Sequence, residues 1–289
     1  MVCSNPFYLK KQMFFVPCGK CLGCRINRRG AWVTRMVLEA SNWYDVSFLT
    51  LTYDDENLPK TKIFDDDSLN PSTLEPSHLT SFFKRFRRNC EPYKIRYFAC
   101  GEYGEKFGRP HYHAIIFGMD SIMTTYYAGI SWKAGHIYAV PATIETMSYV
   151  GGYVAKKISR LAKQNDVERF RTPEFCRVSR NPGLGAVSLS RLFKLCRNQV
   201  DVIDGIRYNG KYHPLPRFIK EKLRSLVYSP EYVEALKSAR VMNARADTAK
   251  VMYDKDSALK RNNALQALQD SYRVKQVNYD ISHLQKRIF

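Results

Sequence analysis

No stretch of eighteen apolar residues occurs in this chain, so no transmembrane helix is expected. The phosphate loop Gly-x-x-x-x-Gly-Lys-Ser/Thr is missing too. That removes the usual backbone cradle for a nucleotide, and with it a built-in ATP-driven motor. Met1-Val2-Cys3-Ser4-Asn5-Pro6 is followed by lysines without an apolar core, so a signal peptide is not expected and an intracellular protein is. No internal repeat is found. Acidic residues are scarce: 27 Asp and Glu stand against 46 Lys and Arg, a formal charge of +19. So basic a chain is expected to meet a polyanion, nucleic acid being the commonest.

What is present suits a folded protein. Hydrophobic residues make up 45% of 289, enough for one large domain or a domain with an appendage. Residues 1–24 read as irregular and cysteine-rich. From Arg25 to Tyr44, apolar residues Trp32, Met36, Ala40 and Tyr44 recur every four positions, a helical pattern. Val46–Tyr53 reads as a strand, and an acidic loop follows to residue 76. A helix starting near Ser77 carries Leu79, Phe82, Phe83 and Phe86 on one face. Strands follow at Lys94–Cys100, His111–Phe117 and His136–Val140, the first two joined by a loop with Gly101, Gly104 and Gly108. Residues 144–163 read as a helix, 166–215 as mixed, and Pro216 onward as charged helices. The order gives an α+β fold: an antiparallel sheet with helices against one face. The expected divisions are a cysteine-rich segment 1–24, a central domain 25–215 and a basic helical region 216–289.

His111-Tyr112-His113 is the most informative segment. On a strand, residues i and i+2 share a face, so two imidazoles stand side by side on a rigid support. Imidazole suits a divalent cation, and a carboxylate from Glu102, just past the preceding strand, would favour Mg²⁺ or Mn²⁺. In Tyr149-Val150-Gly151-Gly152-Tyr153-Val154-Ala155-Lys156-Lys157, a helix sets the two phenols one turn apart on one face, with both lysines on the next turn. A tyrosine oxygen can attack a phosphodiester and hold the DNA end covalently, splitting cleavage and rejoining into two transfers. Each pair alone also fits ordinary packing; their company makes the chemistry.

Cys18-x-x-Cys21-x-x-Cys24 has metal-ligand spacing, and Cys3 is the natural fourth ligand for a structural Zn²⁺. Arg25, Arg28, Arg29, Arg35, Lys84, Arg85, Arg87 and Arg88 are candidate phosphate contacts. Tyr103, Phe107, Tyr126, Tyr127 and Trp132 are candidates for stacking on bases.

His111-Tyr112-His113 resembles the His-hydrophobic-His motif that names the HUH endonucleases. Tyr149 and Tyr153 with a trailing lysine resemble the two-tyrosine motif of rolling-circle initiators, and Phe48-Leu49-Thr50-Leu51-Thr52 that superfamily's first motif. Cys18–Arg25, Thr50–Asp54, Gly101–Gly104 and Arg109–His111 together resemble the replication initiators of microviruses, small single-stranded-DNA bacteriophages, especially the gokushovirus branch. Asn181-Pro182-Gly183-Leu184-Gly185 resembles a Pro-Gly-Ile-Gly segment of the same proteins. The strong motifs cover residues 18–157.

This resemblance implies a palm-like antiparallel sheet with central histidines and the tyrosine helix alongside. It implies a metal-dependent nickase that cuts single-stranded DNA at the replication origin through a 5′-phosphotyrosine, leaves a 3′-OH primer, and later circularises the strand. It also implies the cytoplasm of an infected bacterial host as the setting, and a borrowed host helicase and polymerase. Gly151-Gly152 stand where relatives often carry alanine and lysine, which leaves both Lys156 and Lys157 as candidates for the electrostatic role. Two other readings stay open: a non-catalytic zinc-containing nucleic-acid-binding protein, and a metal-dependent phosphodiesterase that uses activated water.

Overall fold

The computed structural model describes residues 3–104, 107–160, 170–196, 204–208 and 210–253. The first 24 residues are less irregular than expected. They contain a hairpin, β1 (Phe7–Leu9) and β2 (Phe14–Val16), and helix α1 (Leu22–Ala40) already begins there. Then come β3 (Val46–Tyr53), α2 (Pro76–Asn89), β4 (Arg96–Tyr103), β5 (Pro110–Phe117), α3 (Ser121–Ser131), β6 (Gly135–Pro141) and α4 (Ile144–Arg160). The mixed region resolves into β7 (Phe175–Val178), α5 (Leu189–Cys196), β8 (Gly205–Tyr208) and β9 (Lys211–Pro214). α6 (Arg217–Val227) and α7 (Pro230–Tyr253) are the helices expected after Pro216; residues 254–289 lie outside the described residues. Among the described residues no helix is long and apolar enough to cross a membrane.

The chain divides into two compact units. Residues up to Arg28 with those from Arg224 on form one, and Arg29–Leu223 the other. The larger unit is built on a five-stranded antiparallel sheet in the order β6-β3-β5-β4-β7. β3 shows why: its residues are alternately half-buried and buried, with Leu49, Leu51 and Tyr53 on the buried face. These pack with Tyr112, Ala114 and Ile116 of β5 beneath Leu79, Phe82, Phe83 and Phe86 of α2 and Ala128 of α3.

The opposite face is also covered, which differs from the one-sided layering expected. Phe98 and Cys100 of β4 and Ile115 and Phe117 of β5 pack against Val33, Met36 and Val37 of α1 and Met147, Val150 and Tyr153 of α4. The cause is apolar residues at both parities of the central strands, a pattern that calls for cover on both faces. Helix α3 was not anticipated. It is capped by Asp120, which accepts from Met123 N, and Thr124 bonds Ser47 of β3 at 2.7 Å. Helix α2 starts at Pro76, with Glu75 rather than Ser77 as the capping side chain.

β4 runs on to Tyr103, three residues past its expected end. Gly101 allows this. A Cβ there would lie 2.9 Å from Phe175, 3.0 Å from Leu74 and 3.1 Å from Tyr112. Glu102 is therefore a strand residue and not a loop residue beyond the strand.

A fully buried carboxylate locks this sheet to α1. Glu39 accepts from Arg96 Nε at 2.6 Å, Trp43 Nε1 at 3.2 Å and the amide of Gly185 at 2.7 Å. Arg96 also donates to the carbonyls of Asn181 and Pro182, and Arg35 Nε to that of Leu184. The Asn181–Gly185 segment thus serves as the third side of an ion-pair network. Replacing Glu39 by alanine strands the Arg96 guanidinium. We expect a loss of about 3–5 kcal/mol in urea unfolding; a loss below about 1 kcal/mol would contradict this role.

Candidate active site

The site lies on the α1/α4 face of the sheet, at the end where β5 begins. Pairing sets Glu102 of β4 directly across from His111 of β5, with Thr52 of β3 on the other side. Cys100 and Thr50 flank His113 in the same way. His111 and His113 point to one face as strand neighbours two apart must.

Three groups meet at a single oxygen. Glu102 Oε1 lies 2.6 Å from His111 Nε2 and 2.9 Å from His113 Nε2, and it accepts from the Tyr149 hydroxyl at 3.1 Å. The other ring nitrogens are held from behind. His111 Nδ1 lies 3.0 Å from the Arg109 carbonyl, which can only accept, so Nδ1 carries a proton. His113 Nδ1 bonds Thr50 Oγ1 at 2.9 Å, and Phe48 stacks on its ring. Both imidazoles therefore aim Nε2 at the centre.

Burial alone would raise the Glu102 carboxyl, but hydrogen bonds from His111 and His113 override it and hold the group at about 2. Burial pulls His111 down; its bond to Glu102 prevails and raises it. For His113 burial wins, and its pKa is lowered.

The residues fit a divalent cation. Glu102, His111 and His113 each offer a ligand atom, all within 4.8 Å of one another. Glu102 is 3% exposed, and its Oε2 is buried with no hydrogen-bond partner among the described residues. A buried carboxylate oxygen left unpaired costs free energy unless something positive or donating meets it. Two nitrogens and a carboxylate are a donor set for Mn²⁺ or Mg²⁺, and one that zinc would also accept.

α4 brings the tyrosines. Tyr149 and Tyr153 stand one turn apart with ring centroids 5.0 Å from each other, and both rings lie against His113. They differ in access: Tyr149 is 46% exposed and Tyr153 only 4%. The glycines between them also differ. A Cβ on Gly151 would meet Val33 and Met36 of α1 at 3.3 and 3.4 Å, whereas Gly152 faces open space. Arg29 Nε donates to the Ser148 carbonyl at 3.0 Å, fixing this end of α4 to α1. Lys156 and Lys157 lie on α4, but their side chains fall outside the described residues.

Cys3, Cys18, Cys21 and Cys24 are gathered as well, in the smaller unit, with their sulfurs within 4.8 Å of one another. Of the aromatic residues expected to stack on bases, Tyr103 and Trp132 are buried in the core and unsuited to it. Phe107 and Tyr126 are exposed, and Tyr127 is partly buried. Arg35 and Arg85 spend their guanidinium groups on internal carbonyls, those of Leu184 and Ser131. Sequence reasoning missed Thr50 and Phe48 as supports of His113. Their signal was available: residues 48, 50 and 52 of β3 share one face.

Residues 46–161 match the model of a family of replication-associated proteins, the one described by its ORF2 members. The chain is 29% identical over 223 residues to the Replication-associated protein VP4 of Bdellovibrio phage phiMH2K, covering 72% of this chain and 67% of that protein. It is 29% identical over 255 residues to the Replication-associated protein ORF4 of Chlamydia phage 1, covering 79% of this chain and 60% of that one. It is 28% identical over 250 residues to the Replication-associated protein ORF2 of Spiroplasma virus 4, covering 78% and 72%. No solved structure matches.

Two expectations about metal follow from the geometry. Thr50→Val removes the partner of His113 Nδ1 and should weaken Mn²⁺ binding by ~10–100-fold in calorimetry; unchanged affinity would show that Thr50 does not orient the ring. His111 must shed its proton to become a ligand, and its pKa is raised. Mn²⁺ affinity should therefore fall as pH drops through the neutral range, with protons released on binding; a pH-independent affinity would contradict the assignment.

The matched stretch runs from the first residue of β3 through the whole of α4, and it includes every residue of the triad and both tyrosines. The likeness to microvirus replication initiators that the motifs implied is borne out: this chain resembles the replication-associated proteins of phages.

Proposed function

We propose that this chain is a metal-dependent HUH nickase that opens and rejoins single-stranded DNA at a phage replication origin. The observation that carries the reading is the convergence of the Tyr149 hydroxyl and two histidine Nε2 atoms on Glu102 Oε1. A nucleophile, a carboxylate and two imidazoles within hydrogen-bond reach of one atom suit phosphodiester transfer. The relatives' names bring replication, and the excess of basic residues suits a DNA strand.

The exposed Tyr149 acts first. Its phenol oxygen bonds to phosphorus and the bond to the 3′ oxygen breaks. The phenol proton is lost, the 3′ oxygen gains one, and the 5′ phosphate stays on tyrosine. Glu102 holds the Tyr149 hydroxyl beside the imidazoles, so the attacking atom is positioned before DNA arrives. A Mg²⁺ or Mn²⁺ ion held by Glu102, His111 and His113 would polarise the phosphate and offset its developing charge. Lys156 or Lys157, on the turn after Tyr153, would add to this. Tyr153, buried against His113, becomes the second nucleophile once Tyr149 carries the first strand end, and its attack on the regenerated junction closes the circle. Strand separation and synthesis would fall to a host helicase and polymerase, in the cytoplasm of the infected bacterium.

The test uses single-stranded oligonucleotides that tile the genome encoding the chain, incubated with protein and Mn²⁺. An SDS-stable protein–DNA adduct should form, EDTA should prevent it, and Tyr149→Phe should remove most of it. The double variant Tyr149→Phe, Tyr153→Phe should form none. Cleavage that survives in the double variant would point to an activated water and overturn the tyrosine mechanism. Salt-sensitive binding without cleavage of any oligonucleotide would favour a non-catalytic binder.

A further inference from the structure

We propose that Cys3, Cys18, Cys21 and Cys24 hold one structural zinc ion that fastens the start of the chain to the first helix. The cysteines come from three places: Cys3 precedes β1, Cys18 and Cys21 lie in the turn after β2, and Cys24 is in the first turn of α1. Their four sulfurs lie within 4.8 Å of one another, and Cys21 Sγ is 3.8 Å from Cys3 Sγ. Zinc at about 2.3 Å from each of four tetrahedral sulfurs sets neighbouring sulfurs about 3.8 Å apart. A disulfide needs a separation of about 2.05 Å, and the four thiols are free. An iron–sulfur cluster puts several iron atoms between its cysteines and spreads their sulfurs more widely.

The backbone around the cluster is arranged for negative sulfur. The amide of Cys18 donates to Cys3 Sγ at 3.1 Å, and the amides of Lys20 and Cys21 donate to Cys18 Sγ at 3.4 and 3.3 Å. Amides aimed at sulfur favour the thiolate, the form that binds metal. Gly19 makes the turn possible, with φ of 73° in the region that other residues rarely adopt. Cys24 at the start of α1 also meets the positive end of the helix dipole. Four sulfurs leave no open position, so the site is structural and not catalytic.

The ion closes a loop around the β1/β2 hairpin. Two strands of three residues each are too short to hold together alone. Arg245 Nε of α7 donates to the Gln12 carbonyl in the hairpin turn at 2.7 Å, so the hairpin links α7 to the cysteine cluster. Loss of the metal should therefore loosen the smaller unit, while the triad, built within the larger one, has its own supports.

The test is made in a His111→Ala, His113→Ala background, so that no metal counted belongs to the other site. The full chain, purified under reducing conditions without chelator, should carry one zinc per chain by elemental analysis. Cys21→Ser and Cys24→Ser should each lose most of it. Because a misfolded variant would also lose metal, cobalt is exchanged into protein with all four cysteines intact. Tetrahedral thiolate ligation should give sulfur-to-cobalt charge-transfer absorption and strong red d–d bands. Stripping the metal should open tryptic cleavage at Lys10 and Lys11. Zinc-free protein, zinc unchanged in both cysteine variants, iron with labile sulfide, or a cobalt spectrum without thiolate bands would each overturn the proposal.

Discussion

The register of β5 between β3 and β4 is the constraint on which the site depends. A slip of one residue would turn His111 and His113 to the α2/α3 face and bring Tyr112 to theirs. What prevents it is packing on both sides. Tyr112 is fully buried, and its hydroxyl bonds Tyr53 at 2.7 Å and the Glu75 carbonyl at 2.8 Å. Ile115 and Phe117, of the opposite parity, fill the core under α1 and α4. The histidines thus stand on a strand whose neighbours on both faces have one fit, and Glu102 takes its place by pairing alone.

A second layer follows from the first. With Nδ1 of each imidazole engaged, both Nε2 atoms turn to the same carboxylate oxygen. That leaves one buried Glu102 oxygen unmatched. A fully satisfied polar cluster would be a stable structural feature; this one keeps a deficit that a cation would fill. The packing of α4 on α1 at Gly151 places Tyr149 at the rim and Tyr153 beneath it. One helix thereby offers two phenols of unequal access, which is an order of action as well as a pair of nucleophiles.

The periodic parts of this arrangement are legible in the amino-acid sequence. His-x-His on a strand and tyrosines four apart on a helix follow from periods of 2 and 3.6, and Cys3 could be paired with the Cys-x-x-Cys-x-x-Cys run by valence alone. Glu102 could be named but not placed, because Gly101 and Gly104 read as the end of a strand when Gly101 instead makes room for Phe175, Leu74 and Tyr112. Helix α3 was obscured by its own composition: Thr124, Thr125, Tyr126 and Tyr127 carry little helical preference, and tertiary packing decides. The Glu39–Arg96–Gly185 network joins residues up to 146 positions apart, and no local pattern announces it.

The central claim is that Tyr149 is the first nucleophile toward DNA at the Glu102–His111–His113 centre. The most direct measurement is mass spectrometry of the adduct after nuclease trimming and peptide digestion, reading which residue carries the residual nucleotide. The account predicts the nucleotide on Tyr149 in the first-turnover adduct, within the peptide from α4. Attachment to a tyrosine outside α4, or to Tyr153 with Tyr149 unmodified, would contradict it.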